Sequence, residues 1–341
     1  MDILFYFCVI LTFYRFFFYR NEYHTEYMTP SSTISVCGIF VILVFLNHLK
    51  SYTTFQNSEI YYLFSKFMGQ LIVVPFLFYS GYGIMISVMT KGEVYIKHFP
   101  FRRIFRTWLH FAIAVVLYLI VGLAQGRAYS YRGIFYAFLG LSSIGNSNWF
   151  IWTVLWLYGF TFLSVRIGKT SVHIVLCILA VHLFIYMYSM SKIAPLYFYD
   201  TAFAYFAGVL FACFRKEIES TLLSSRAHFA FVFISCFIIF TASYYWRTYT
   251  HSLISYITWC LSFSLLFVMI TMKVKFQNPV LSFLGDHVFE IYILQRLPMN
   301  LLQGFFENDY MYALACIVLT LGMAVVFHHM LKILDQKLLR L

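Results

Sequence analysis

The sequence predicts an all-α polytopic membrane protein, with about ten core transmembrane helices plus an extra N-terminal helix or interfacial anchor. Of the 341 residues, 62% are hydrophobic and only 11% are charged, whereas a soluble domain carries roughly 25% charged residues. A span of about 20 residues with a short connection would allow roughly ten to twelve helices in this length. No room remains for a separate soluble domain, so the function is expected to lie within the membrane.

The first apolar run, residues 3–19, contains Arg15 and is followed by Arg20. A secretory signal places its positive charge before the apolar region, so a cleaved signal is not expected. An internal arginine also makes this run marginal as a span. Residues 1–30 are therefore expected to form an extra helix or an interfacial anchor, and residues 31–341 the transmembrane domain.

Ten stronger apolar stretches follow, joined by short connections, and no internal repeat or low-complexity linker separates them. The predicted spans cover residues 34–49, 69–89, 104–124, 149–165, 172–190, 194–214, 228–245, 253–272, 283–302 and 311–331. The longest connection, residues 125–148, contains a weakly apolar stretch at 133–141 that is expected to form a short surface or re-entrant helix.

The excess of positive charge agrees with this topology. There are 24 Lys and Arg residues against 13 Asp and Glu, a formal charge of +11. Alternate connections hold 16 and 6 of the basic residues, and two lie within spans. Such a bias is expected when both ends of the ten-helix core lie in the cytoplasm. The basic composition therefore predicts orientation, and no nucleic-acid partner is expected.

No metal site is expected. The seven cysteines all lie in apolar stretches, without CxxC spacing, and are typical of small buried side chains. No HExxH, Walker or GxSxG motif occurs in the sequence.

His48 ends the first core span, roughly 24 Å along that helix from Ser32. It is either an interfacial histidine bonded to a headgroup or carbonyl, or a general base that takes a proton from a hydroxyl. The sequence alone does not separate these interpretations.

The second core span contains Ser80-Gly81-Tyr82-Gly83. Small residues within a span usually permit close helix packing. In the functional interpretation, the glycines let backbone approach a ligand while Ser80 and Tyr82 offer hydroxyls to it.

Three arginines, Arg102, Arg103 and Arg106, lie at the cytoplasmic start of the third core span. They could be headgroup anchors. Arg103 and Arg106 also share a helix face at i,i+3, and arginines grip phosphates in a bidentate manner. A phosphorylated cytosolic ligand is the functional hypothesis.

Trp149 and its aromatic neighbours enter the fourth core span from outside. They are typical of an aromatic belt with helix-capping polar residues, and they could also form a platform for sugar rings.

The span 283–302 is the most polar of the ten. Charged residues within a span are costly unless they face protein or water, and they mark functional pathways. Tyr292 and Gln295 lie on one stripe, at a depth similar to that of His48. Glu290 is a further candidate for this channel, although a purely structural polar seam is the alternative. His328 and His329, near the end of the last span, are expected to be interfacial, because adjacent positions point about 100° apart.

Taken in order, these segments resemble the acyltransferase-3 family of multipass membrane acyltransferases, from about Ser32 to the C-terminus. The resemblance is carried by His48, Ser80-Gly81-Tyr82-Gly83, Arg103-x-x-Arg106, Trp149-Phe150, Leu284-Gly285 and Ile291-Tyr292-Ile293-Leu294. It implies that His48 is the catalytic histidine and that Arg103 and Arg106 handle the acyl donor.

Two positions depart from the family pattern. Many members carry an arginine eleven residues before the histidine, where this chain has Cys37. The penultimate helix often ends its motif in a histidine, where this chain has Gln295. The first departure affects how the site holds or polarises its donor. The second argues against a two-histidine mechanism and suggests that Gln295 orients a substrate.

The resemblance implies a membrane O-acyltransferase, most simply an O-acetyltransferase. It would move an acyl group from cytosolic acetyl-CoA, used as a co-substrate and not as a bound cofactor, to a hydroxyl of a cell-surface or lipid-linked glycan. The implied location is a bacterial plasma membrane. His48 would act as a base or carry the acyl group, and Ser80, Tyr82, Tyr292 and Gln295 would line the channel and stabilise the oxyanion.

The alternative is a glycan flippase, transporter or polymerase of polysaccharide export. In that case the polar span and Trp149 would hold a lipid-linked saccharide, and CoA would not be needed. A purely structural scaffolding role would not explain why the span 283–302 contains so many polar residues.

Overall fold

The computed structural model describes residues 2–169 and 171–338, and these residues form an almost entirely helical bundle. The first eight helices are α1 Asp2–Phe13, α2 Pro30–Leu49, α3 Glu59–Met68, α4 Val74–Phe99, α5 Arg106–Ala124, α6 Tyr131–Leu139, α7 Trp149–Gly168 and α8 Val172–Ile193. The others are α9 Phe203–Cys213, α10 Arg215–Leu222, α11 Arg226–Thr250, α12 Leu253–Thr271, α13 Pro279–Asp286, α14 Val288–Leu294, α15 Arg296–Leu302 and α16 Asp309–Leu338.

Eight stretches of the described residues are long and apolar enough to cross a membrane. One of them, Glu59–Ala124, contains two of the predicted spans, so the eight stretches include nine of the ten. The all-α polytopic membrane fold is thus confirmed. The short helix expected near 133–141 is α6. Helix α1 is about 18 Å long by helix rise and falls short of the roughly 30 Å hydrocarbon core.

The tenth predicted span, 283–302, is not one continuous helix. It is divided into α13, α14 and α15. The backbone leaves the helical region at His287 (φ −106°, ψ 17°), whereas at Gln295 it stays helical (φ −54°, ψ −33°) and only the hydrogen-bond ladder is interrupted. Pro298 explains the second break, because it offers no N–H to the carbonyl four residues earlier. At the first break, the His287 ring lies 2.9 Å from the Phe283 carbonyl oxygen, measured from Nδ1. Broken helices of this kind often line ligand sites in membrane proteins.

Helices α4 and α9 approach each other at two glycines. A Cβ at Gly81 would overlap the Tyr205 carbonyl, and a Cβ at Gly208 would overlap the Phe78 carbonyl. By contrast, a Cβ at Gly83 would meet nothing within 4 Å. Gly81 therefore permits close helix packing, as one interpretation of this motif predicted, whereas Gly83 does not take part in the contact.

An N-terminal strap, residues 14–29, crosses the end of the bundle at which α12 stops. Its strand β1 Phe16–Phe18 pairs antiparallel with β2 Val274–Phe276, the only sheet among the described residues. The His24 amide donates to the Met272 carbonyl at 2.8 Å. The strap thereby holds the linker that leads into the broken segment α13–α15.

We expect Gly81→Ala to lower the free energy of unfolding by about 1–3 kcal/mol, the usual cost of overpacking. Gly83→Ala is the matched control, because it lies two residues away in open space and should leave stability unchanged or raise it slightly through helix propensity. Thermal unfolding of the purified proteins in one detergent measures both. Equal effects of the two substitutions would contradict the close α4–α9 contact.

A second prediction concerns pH and the strap. Burial is the main cause that lowers the pKa of His24 from its usual 6.5. The unfolded chain therefore binds more protons than the folded chain below that pH, and the contribution of His24 to stability is lost as the pH falls below about 6.5. His24→Gln should flatten this part of the stability profile, as measured by thermal unfolding between pH 5 and 8. An unchanged profile would show that His24 does not titrate in this way.

Candidate functional site

Two polar centres lie at opposite ends of the bundle. The His48 cluster consists of His48, Tyr52, Tyr118, Asn146, Tyr292, Gln295 and Arg296. The arginine pocket is lined by Lys91, Val94, Tyr95, His98, Arg102, Arg103 and Arg106. We call the end of the bundle that holds the arginine pocket the basic face.

Close backbone contact between α2 and α13 places His48 against the broken segment. A Cβ at Gly38 would overlap the Leu281 carbonyl, and a Cβ at Gly285 would overlap the Ile34 carbonyl. From this contact the two segments run side by side away from the basic face. His48, near the end of α2, consequently reaches the level of α14 and the Gln295 break.

The imidazole of His48 faces two of the predicted residues. Its ring centroid lies 6.3 Å from that of Tyr292, and the Gln295 side chain lies next to it. Gln295 is fully buried and donates its Nε2 to the Tyr292 carbonyl at 3.2 Å. The structure therefore brings His48, Tyr292 and Gln295 together, as their predicted depths indicated.

Arg296 joins the rest of the His48 cluster. Its Nε donates to the Tyr52 hydroxyl at 3.2 Å, and one terminal nitrogen donates to the Asn146 carbonyl at 3.3 Å. Its charge also acts on His48 and on Tyr118. The connection before α7 and the end of α2 are thus held around one guanidinium.

Several buried polar atoms of the cluster make no well-formed hydrogen bond in the described part of the chain, although Gln295 lies beside His48 and backbone groups lie near the Tyr118 and Tyr292 hydroxyls. These atoms are His48 Nδ1, Tyr118 Oη, Asn146 Nδ2, Tyr292 Oη and Gln295 Oε1. Buried polar groups in native proteins are nearly always paired. This concentration of donors and acceptors is suited to a hydroxylated ligand or to water.

An aromatic surface borders the cluster. Phe150 packs against Tyr292 with ring centroids 5.2 Å apart. Trp149 packs against Phe150 and Tyr197, at 5.8 Å from each. Trp149 keeps part of its surface accessible, so the predicted platform adjoins the cluster.

The arginine pocket encloses 320 Å³. Arg102 is exposed within the π-helical turn Pro100–Phe105, while Arg103 and Arg106 are half-buried. All three arginines line the pocket, but they have different partners. Arg103 donates Nε to the Tyr95 hydroxyl at 3.0 Å, and Arg106 lies 3.6 Å from the Asp335 carboxylate.

Ser80 and Tyr82 have protein partners. The Ser80 and Tyr158 hydroxyls are 2.9 Å apart, and the Tyr158 ring packs against Phe99 beside Tyr95. Ser80 is therefore linked through aromatic side chains to the arginine pocket. The Tyr82 hydroxyl accepts a hydrogen bond from Arg215 at 3.0 Å.

Glu290 lies apart from the His48 cluster. It is buried, and its Oε1 is 2.9 Å from His328 Nδ1. The His328 ring packs in turn against His287, with centroids 4.9 Å apart. His328, expected to be simply interfacial, is thus the partner of a buried carboxylate.

Cys37 occupies the same face of α2 as His48. Eleven residues correspond to three helical turns plus about 20°. Both side chains are enclosed by the protein but retain partly accessible surface. The two positions therefore mark one line along α2, from the side of the basic face toward His48.

The two centres are well separated along α4. Val73, just before α4, packs with Val44 near His48, whereas Tyr95 lines the arginine pocket. By helix rise, the straight part of α4 from Val74 to Lys91 alone spans roughly 26 Å, before the helix kinks at Gly92. A reaction that uses both centres must bring a group across most of the bundle.

Sequence reasoning missed several partners in both centres. Arg296 is one of the two basic residues within the predicted spans, but its link to Tyr52 and Asn146 depends on tertiary contacts between distant segments. Tyr158 and Arg215 lay in stretches typical of an ordinary apolar span and a cytoplasmic basic connection. No local signal distinguished them.

We expect His328→Ala to destabilise the protein by about 1.5–3 kcal/mol, because it removes a hydrogen bond from a buried charged group. His329→Ala is the matched control, since that neighbouring side chain is exposed and should tolerate the change. The double variant Glu290→Gln/His328→Ala should recover part of the loss. Thermal unfolding measures all three, and a double variant no more stable than His328→Ala would contradict the pairing.

Comparison with known proteins identifies the family. A family model described as an acyltransferase domain, that of the acyltransferase-3 family, matches residues 34–329. No curated protein and no solved structure gives a significant match. The matched range contains His48, the arginine pocket and the whole broken segment. This chain therefore belongs to the acyltransferase-3 family and is a multipass membrane acyltransferase.

Proposed function

We propose that the protein is a membrane O-acetyltransferase that moves an acetyl group from acetyl-CoA to a hydroxyl of a cell-surface or lipid-linked glycan. The observation that carries this proposal is the set of buried polar atoms around His48 that make no well-formed hydrogen bond among the described residues. A sugar presents several hydroxyls that both donate and accept hydrogen bonds. Such a ligand would satisfy these atoms, and its ring could stack on the adjoining Trp149 surface.

The arginine pocket supports binding of the donor. Acyl-CoA carries phosphate groups, and arginine forks match phosphate oxygens in geometry and charge. Arg102 is exposed and makes no ion pair among the described residues. Arg103 also has no carboxylate partner among the described residues. Both guanidinium groups therefore keep charge for a ligand.

His48 would act as the general base. It takes the proton of the acceptor hydroxyl as the oxygen attacks the thioester carbonyl. The Arg296 guanidinium lies nearby and would stabilise the negative oxygen of the tetrahedral intermediate. The C–S bond then breaks, His48 returns the proton to the thiolate, and the products are an O-acetyl ester and free CoA.

The donor and acceptor sites lie at opposite ends of the bundle, so the acetyl thioester must travel inward. A path along the face of α2 that carries Cys37 and His48 would connect the two ends. The positive-inside rule assigns the basic face to the cytoplasm, where acetyl-CoA is made. The His48 cluster would then lie toward the outer side of a bacterial plasma membrane, where surface glycans are exposed.

His48→Ala should abolish O-acetylation, while His329→Ala should preserve it at matched expression. The measurement is NMR of the surface polysaccharide from a deletion strain complemented with each variant, with loss of O-acetyl signals as the readout. Restoration of the signals by His48→Ala would refute the assigned role of His48. A polysaccharide that keeps every acetyl group but is shortened or missing would instead support flippase or polymerase activity.

Arg103→Ala should remove most of the thermal stabilisation that acetyl-CoA gives the purified protein, since a ligand stabilises only the state that it binds. Arg132→Ala is a matched control, because Arg132 makes a similar bond to a tyrosine hydroxyl, that of Tyr136, outside the arginine pocket. Loss of stabilisation in both variants would show a non-specific charge effect. No stabilisation of the wild type would argue against a CoA donor.

A further inference from the structure

A second basic groove lies beside the arginine pocket. It encloses 1210 Å³ between the end of α4, the end of α7 and the start of α8. Its floor is apolar and includes Met85, Val165 and Val175. This volume exceeds the range of about 300–1,000 Å³ that is usual for small-ligand pockets.

The rim of this groove has positive charge that the protein does not neutralise. Lys97, Arg166 and Lys169 line it and are exposed, and the described residues give none of them an ion pair or a hydrogen-bonded carboxylate. Glu93 is the one acidic side chain that lines the groove. Three cations against one carboxylate leave an excess of positive charge at the rim.

The start of α8 adds to this field. Val172, its first residue, lines the groove. The N-terminal end of this 22-residue helix carries partial positive charge, and Ser171 caps only the Ile174 N–H. The groove therefore combines free cations, a helix N-terminus and an apolar floor. These are the features of a site for an anionic group attached to a larger, partly apolar molecule.

The groove and the arginine pocket lie on either side of the same stretch of α4. Val94 lines both sites and is 71% exposed, so the two sites adjoin at this side chain. One ligand could extend over Val94 and present separate anionic groups to the two sites. Acetyl-CoA has this form, since a diphosphate and a 3′-phosphate flank its ribose.

We propose, on the basis of the proposed function, that the groove binds the 3′-phosphate of the donor nucleotide through Lys97, Arg166 and Lys169. The arginine pocket takes the diphosphate, and the pantetheine arm leaves from there toward Ser80 and the interior. The groove thereby makes the enzyme discriminate between CoA thioesters and thioesters on carriers that lack this phosphate. A phosphate could also come from a phospholipid headgroup, and the experiment separates the two sources.

The test compares binding of acetyl-CoA and acetyl-3′-dephospho-CoA, which lacks only the 3′-phosphate, to the purified protein by calorimetry. Wild type should bind acetyl-CoA at least about tenfold more tightly. Arg166→Gln/Lys169→Gln should bind both compounds with the affinity that wild type has for the dephospho compound. Lys97→Gln, tested as a single substitution, should reduce the difference in affinity between the two compounds. The control variant Lys332→Gln/Lys337→Gln changes two exposed lysines on the last helix and should leave that difference unchanged.

The outcomes distinguish this inference from the proposed function. If wild type binds both compounds equally, the groove does not bind the 3′-phosphate, while the proposal of a CoA donor is still supported. If neither compound binds, the proposed donor itself is wrong and this inference falls with it. If the double variant keeps full discrimination but loses stabilisation by phosphatidylglycerol vesicles relative to phosphatidylcholine vesicles, the groove is a lipid site and the inference is overturned.

Discussion

The reciprocal glycine contact between α2 and α13 is the constraint on which the candidate site depends. At Gly38 and Gly285 each backbone fills the space that a side chain on the other helix would need. This contact fixes the register of the two helices. If α2 and α13 separated or shifted along each other, His48 would move away from Gln295. The buried polar atoms of the cluster would then no longer face one another.

The helical spacing of the broken segment gives that register a chemical use. Tyr292, Gln295 and Arg296 are three and four residues apart, so they lie on one helix face beside His48. Arg296 then ties the segment to the connection before α7. The cost of an arginine within the membrane is offset here by its bonds to Tyr52 and Asn146.

Much of the fold could be predicted from the sequence, because apolar length and the distribution of basic residues directly reflect the bilayer. The convergence of His48, Tyr292 and Gln295 followed from their depth along helices of known rise. The division of 283–302 was not predicted, although Pro298 was a local signal for it. The partners of Tyr82, Glu290 and Arg106 could not be predicted, since these pairs join segments far apart in the chain.

The central claim is that donor and acceptor meet the protein at opposite ends of the bundle. The most direct test uses sealed vesicles with the protein in one orientation, radiolabelled acetyl-CoA on one side and acceptor glycan on the other. Acetylated glycan should form only when acetyl-CoA faces the arginine pocket and glycan faces the His48 cluster. Equal transfer with the two substrates exchanged, or transfer only when both are on one side, would contradict this claim.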